Sequence, residues 1–235
     1  MGRQIERQGN GIGLYNEGWL HSSLKRLYGT PDARYEVKID GFVVDIAQNG
    51  MLVEIQTGSF YRLRRKLSCL LDNYRIKVVY PLPVEKTIVV LDRDKKRILY
   101  SRRSPKKQSE IDLVDQLVYI LPHLRSSRLS LEVLLTKEEE VRSDDGQGSW
   151  RRGGKSILGR RLLEITGTRR FTRPLDYGKL LPADLPSLFT NRDLSQHMGI
   201  SRSKATKLTY CLKHLGLLEV SHKEGHSFVF VLNDT

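Results

Sequence analysis

The chain has 235 residues, which suits one large or two modest domains. At 39% hydrophobic residues it can bury a core, and no apolar run approaches the ~20 residues of a membrane span. The formal charge of +13 favours a polyanionic partner, of which nucleic acid is the commonest. A surface charged only for thermostability would carry more balanced acid and base. The opening Met-Gly-Arg-Gln-Ile-Glu-Arg lacks the apolar stretch of a signal peptide. Cys69 and Cys211 lie far apart, each in an amphipathic helical pattern, which predicts neither a disulfide nor a zinc site. The expected location is therefore a reducing one, the cytoplasm of a prokaryote or a virus-infected cell.

Residues 14–28 predict a helix, with Leu20, Leu24 and Leu27 at helical spacing and Glu17 on the same stripe. Tyr35–Ile39 predicts a strand. Phe42–Ala47 and Met51–Gln56 predict two more, joined by Asn49-Gly50, the strongest short-range hairpin signal. A helix is expected over 59–73, with Leu63, Leu67, Leu70 and Leu71 as its apolar face and Arg62, Arg64, Arg65 and Lys66 beside them. Arg75–Tyr80 predicts a strand ended by Pro81, followed by a hairpin of 84–92 and 97–101. A helix from Ser109 to about Leu121 and a strand over 128–136 follow.

Residues 142–156 are polar and glycine-rich and predict a basic linker or loop between a first domain, 1–141, and a second, 157–235. Gly153-Gly154-Lys155-Ser156 superficially suggests a phosphate-binding loop, but Gly148 is out of register and no apolar strand precedes it. In the last third, Thr190 begins a capping-box-like helix that stops at Gly199. Ser201 caps a second helix with Ala205, Leu208, Leu212 and Leu215 inside, stopped by Gly216. Strands 217–221 and 227–232 then flank Lys223-Glu224-Gly225.

The Asn49-Gly50 turn fixes a register in which Gln48 faces Met51, Ala47 faces Leu52 and Asp45 faces Glu54. Opposed residues share a face, so two carboxylates meet on mostly apolar strands. That pair needs a cation, and Mg²⁺ (with Mn²⁺ as substitute) is the natural candidate. Gln56, two residues beyond Glu54, shares that face. Among the histidines, His222 and His226 flank the last turn without further metal-ligand partners.

Two segments resemble known families. Residues 157–235 resemble a winged helix-turn-helix, which would place Arg202, Ser203, Thr206 and Lys207 against DNA and Lys223 with His226 in the wing. Residues 14–82 resemble the core of the PD-(D/E)XK nuclease superfamily, in the order helix with an acid, strand, strand with an acid, strand with Glu-x-Gln, helix, strand. The resemblance implies an α/β, restriction-endonuclease-like mixed sheet flanked by helices. It makes Glu17, Asp45, Glu54 and the Ile55 carbonyl the metal ligands, and Gln56 the group that orients water or phosphate. Gln56 departs from the family, whose usual residue is lysine. Arg62, Arg65 or Lys66 could supply the missing cation as well as hold DNA phosphates. The expected function is a Mg²⁺-dependent DNA endonuclease working in restriction, recombination, repair or transposition. It would act on duplex or branched DNA, as a homodimer, with no membrane and no small-molecule cofactor. The alternative is a non-catalytic winged-helix DNA-binding or regulatory protein with a degenerate nuclease scaffold.

Overall fold

The computed structural model describes residues 3–4 and 18–233. In chain order the elements are β1 (Arg3–Gln4), α1 (Trp19–Tyr28), β2 (Arg34–Ile39), β3 (Phe42–Gln48), β4 (Met51–Ile55), α2 (Leu63–Leu70), β5 (Arg75–Leu91) and β6 (Ile98–Arg103). They continue with α3 (Val114–Ile120), β7 (Leu129–Ser143), β8 (Ser156–Phe171), β9 (Leu188–Thr190), α4 (Asn191–Met198), α5 (Arg202–Leu215), β10 (Leu218–Glu224) and β11 (Ser227–Leu232). The fold is mixed α/β. A large mixed sheet runs β1-β8-β7-β5-β4-β3-β2, with β6 added on β5, and a small sheet runs β10-β11-β9.

The first hairpins form as their turns dictate. Asn49 and Gly50 both have positive φ, 49° and 68°, and Gln48 pairs with Met51 and Ala47 with Leu52. Asp40 and Gly41, at φ 47° and 82°, make the same kind of turn between β2 and β3. The helix ends in the last third also follow the sequence. Thr190 accepts hydrogen bonds from the Arg192 and Asp193 amides, Ser201 accepts from Lys204, and Gly199 and Gly216 are left-handed stops.

Two expectations are corrected. Pro81 does not end a strand: β5 is continuous through Pro81 and Pro83. The Val79 carbonyl faces β4, where it accepts the Gln56 amide, so the nitrogens of residues 81 and 83 face that same side. The β4 ladder stops at Val79 and the β6 ladder begins at Thr87, so no ladder donor is missing there. The expected linker at 142–156 is instead the end of β7, a hairpin tip and the start of β8. Residues 157–171 belong to β8, paired along β7, so the large sheet extends through Phe171 and the C-terminal unit starts after it.

Apolar burial places the helices. Leu20 and Leu24 of α1 pack with Ile46, Val53, Ile55, Val79 and Leu134 on one face of the sheet. Leu63 and Leu67 of α2, Leu113 and Leu117, and Phe60 cover the other face. That second core continues without a break into Leu208, Leu212 and Phe230, so the C-terminal unit is fused to the large sheet. Cys211 lies in it, and burial pushes its thiol up to about 12, while Cys69 is exposed and both are free. Among the described residues no helix is long and apolar enough to cross a membrane.

Leu208 is fully buried in this shared core. Leu208→Ala is expected to cost about 2–5 kcal/mol. Because the core is shared, chemical denaturation followed by both far-UV dichroism and tryptophan fluorescence should show one coincident transition at lower denaturant, with the C-terminal unit not melting first.

Candidate functional site

The β3–β4 hairpin carries both acids as expected, but not on one face. Val44 lines the same apolar cavity as Leu52, Glu54, Leu63 and Leu67 under α2, whereas Ile46 packs under α1. Residues two apart would share a face in a regular strand. The alternation breaks at Asp45, where the β2–β3 ladder skips from Tyr35↔Ile46 to Val37↔Val44 and the β3–β4 ladder ends at Ile46↔Val53. Opposite the break, Glu36 takes the left-handed conformation, φ 53°, rare for a non-glycine.

Asp45 therefore turns towards α1. Its Oδ2 accepts the Ile55 amide at 2.7 Å and lies 3.1 Å from His21 Nε2, and its Oδ1 lies 3.5 Å from Lys25 Nζ. Lys25 is buried and also pairs with Glu36. Burial opposes the charge of Asp45, but the His21 hydrogen bond, the Ile55 amide and the His21 and Lys25 charges outweigh it and hold the carboxyl below the usual range.

Glu54 turns the other way. Its Oε1 sits 2.5 Å from Lys66 Nζ, which also donates to the Val43 carbonyl at 2.7 Å. Its Oε2 is buried and has no hydrogen-bond partner among the described residues. Burial and the nearby Asp45 charge raise the Glu54 carboxyl above its ordinary value, against the opposing pull of Lys66. The cavity beside it holds about 10 Å³, close to the room one water needs, and its other walls are Val44, Leu52, Leu63, Leu67, Leu70 and Ile76.

The remaining candidates are dispersed. Glu17 lies outside the described residues. The Gln56 side-chain Nε2 donates to the Ser59 carbonyl at 2.7 Å, closing the loop ahead of α2, and Ile55 meets Asp45 through its N–H. Arg62 and Arg65 are exposed, with Arg65 over the Phe42 ring, while Lys66 is turned inward to Glu54 and so is not placed for DNA phosphates. On α5, Arg202, Ser203 and Thr206 face solvent alongside Tyr210 and Lys213. Lys207 instead pairs with Asp115 at 2.7 Å, and Lys204 pairs with Asp112, tying α5 to the start of α3. Lys223 lies over the Phe228 ring, and His226 is exposed at the turn between β10 and β11.

His21, Lys25 and Glu36 were not found by sequence reasoning. The periodic stripe of α1 suggested Leu27 as its third inward residue; Leu27 is exposed and Lys25 is buried instead. The available signal was the i, i+4 spacing of His21 and Lys25, two basic side chains on one helix face beside the leucines.

Residues 18–172 match the family described as Domain of unknown function (DUF8091). The chain belongs to this family. The DUF8091 match begins at α1 and ends just after β8, so it takes in every strand of the large sheet but β1 and stops short of the C-terminal unit. The chain is also similar to a protein of Treponema pallidum (strain Nichols) described as "Uncharacterized protein", with 31% identity over 186 residues covering 79% of this chain and 74% of that one. No solved structure matches the chain.

Removing Lys66 leaves Glu54 as an uncompensated, largely buried charge. Lys66→Met is expected to destabilise the DUF8091 fold by about 3 kcal/mol, and adding Glu54→Gln should restore most of the loss. Urea denaturation of the wild type, Lys66→Met, Glu54→Gln and the double variant closes the cycle; additive losses would show that the pair is not coupled. Asp45 titrates below its unfolded value, so its contribution is complete above about pH 4 and fades as pH falls through the folded value. Asp45→Asn should cost about 1–3 kcal/mol at pH 7 and progressively less in acid, checked by denaturation at pH 7 and pH 3.

Proposed function

We propose that this chain is a DNA-binding protein built on a nuclease-like sheet, with a winged-helix unit formed by β9, α4, α5, β10 and β11 as its reading head. Support for the winged-helix reading comes from topology. A short strand precedes the two helices, the turn between them is a left-handed Gly199, and β9 pairs with the last strand, β11. On this reading α5 enters the major groove with Arg202, Ser203 and Thr206, joined by Tyr210 and Lys213. The ion pairs of Lys204 and Lys207 with Asp112 and Asp115 orient α5 on the body.

The observation that carries the non-catalytic reading is the internal neutralisation of both acids. A Mg²⁺ ion keeps several waters and needs converging oxygens. Here Asp45 is engaged by His21, Lys25 and the Ile55 amide, and Glu54 is engaged by Lys66 in a small apolar cavity on the other face. Among the described residues no group of three or more His, Cys, Asp or Glu is placed to hold a metal ion. The described donors, Asp45 and Glu54, fit a shared ion poorly, and the cations of α1 and α2 stand beside them instead.

A second reading, a Mg²⁺-dependent endonuclease, is favoured by one observation: the bare Oε2 of Glu54 beside a second carboxylate. Held at Glu54 Oε2, a divalent ion would supply an activated water and stabilise charge on the phosphate. In that case Lys66, already on Glu54, fills the role of the lysine that Gln56 replaces.

The readings separate on purified protein. Duplex binding without EDTA-sensitive cleavage, weakened about tenfold by Arg202→Ala with Lys213→Ala, supports the DNA-binding protein. Cleavage of duplex or branched DNA in Mn²⁺ that Asp45→Ala abolishes supports the endonuclease. Absence of any DNA binding at low salt refutes both.

A further inference from the structure

Residues 93–107 hold eight basic side chains and one acid, a net of +7 (8 − 1) out of the chain's +13. They form the turn after β5, the edge strand β6 and the segment beyond it. Every residue of β6 is exposed, although three of the β5 residues that it pairs with, Ile88, Val89 and Val90, are buried. Arg93, Lys96, Arg97, Arg102 and Lys107 are exposed and form no side-chain ion pair among the described residues, while the charge of the equally exposed Lys106 acts on Asp112. Like charges gathered this way repel one another. Cations on an edge strand also serve to block edge-to-edge pairing. That role does not account for Ile98, Leu99 and Tyr100, which lie exposed in a row between the cations.

A second feature lies at the same end of the sheet. The Asp144 amide donates to the Leu91 carbonyl at 2.9 Å and Ser143 Oγ donates to the Asp92 carbonyl at 3.3 Å, which joins the β7–β8 tip to the β5–β6 turn. That tip presents Trp150, 83% exposed, with the Arg151 guanidinium 5.5 Å from its ring. An unshielded indole of this kind is rare on a free surface and suits stacking on a base.

We propose that the far end of the large sheet is a second nucleic-acid contact, separate from α5, in which the β5–β6 arm holds backbone phosphates and Trp150 stacks on an unpaired base at a duplex end or junction. This rests on the DNA-binding reading only for the choice of polyanion, and the charge pattern is independent of α5. It also assigns a preference, for DNA with an exposed unpaired base over continuous duplex.

The test is fluorescence anisotropy in EDTA, on the full chain, with a blunt duplex and the same duplex carrying an unpaired tail. The arm variant Lys96→Ser/Arg97→Ser/Arg102→Ser should bind both at least about tenfold more weakly, and the slope of log affinity against log salt should fall by about 2.7. Trp150→Ala should weaken the tailed duplex about tenfold and the blunt one much less. All substituted side chains are exposed, so the unfolding midpoint should not move. Unchanged affinity and slope in the arm variant, with loss in Arg202→Ala/Lys213→Ala, overturn the arm and leave the α5 reading intact. Loss in the arm variant with none in the α5 variant supports the arm and removes α5 as the reading head. Duplex binding unaffected by the arm substitutions, with binding to phosphatidylglycerol–phosphatidylcholine vesicles abolished by them, overturns the proposal in favour of a lipid surface.

Discussion

Asp45 and Glu54 lie where the β2–β3 ladder lapses and the β3–β4 ladder ends, and their charges control much of what surrounds them. Two carboxylates on apolar strands cannot both stay ionised in a poorly solvated place without cations. The fold divides them. Asp45 turns to α1, where His21 and Lys25 meet it, and Glu54 turns to α2, where Lys66 meets it. Each helix is thus held to the sheet by apolar contacts and by electrostatic ties, through His21 and Lys25 on α1 and Lys66 on α2. The strain that permits the division sits at Glu36, whose left-handed backbone accompanies the missing pair.

The second organising feature is length. β5, β7 and β8 run well beyond the hairpin region, and Trp19 at the start of α1 lies against Gly159 and Arg161 of this extension. Glutamates of β7 are buried there with basic partners, Glu138 with Arg160 and Glu140 with Lys86 and Arg142. Arg160 also donates to the Thr57 carbonyl, linking the extension to the loop after β4. The C-terminal unit is joined at the opposite face by a shared core and by the lysines of α5, so the proposed reading head and the sheet form one packed body.

Local chemistry was legible wherever a few neighbouring residues suffice. Asn49-Gly50, the Thr190 and Ser201 caps and the glycine stops all act within one turn, and each forms as read. The expected mixed sheet flanked by helices forms, and the family match ends just after its last long strand, β8. Pro81 misled because a proline's effect depends on which side of the strand has a partner. The glycine-rich stretch at 142–156 misled because a hairpin tip and a linker have the same composition.

By itself the sequence determined the turn types, the helix caps, the charge of the surface and the presence of two acids on adjacent strands. These follow from backbone preferences and from counting. Only the tertiary structure decided which way each acid faces, that Lys25 is buried while Leu27 is not, and that Lys66, distant in sequence, lies against Glu54. The reason is physical: where a charge settles depends on the nearest opposite charge and on how much water remains, and both are properties of packed neighbours far apart in the chain.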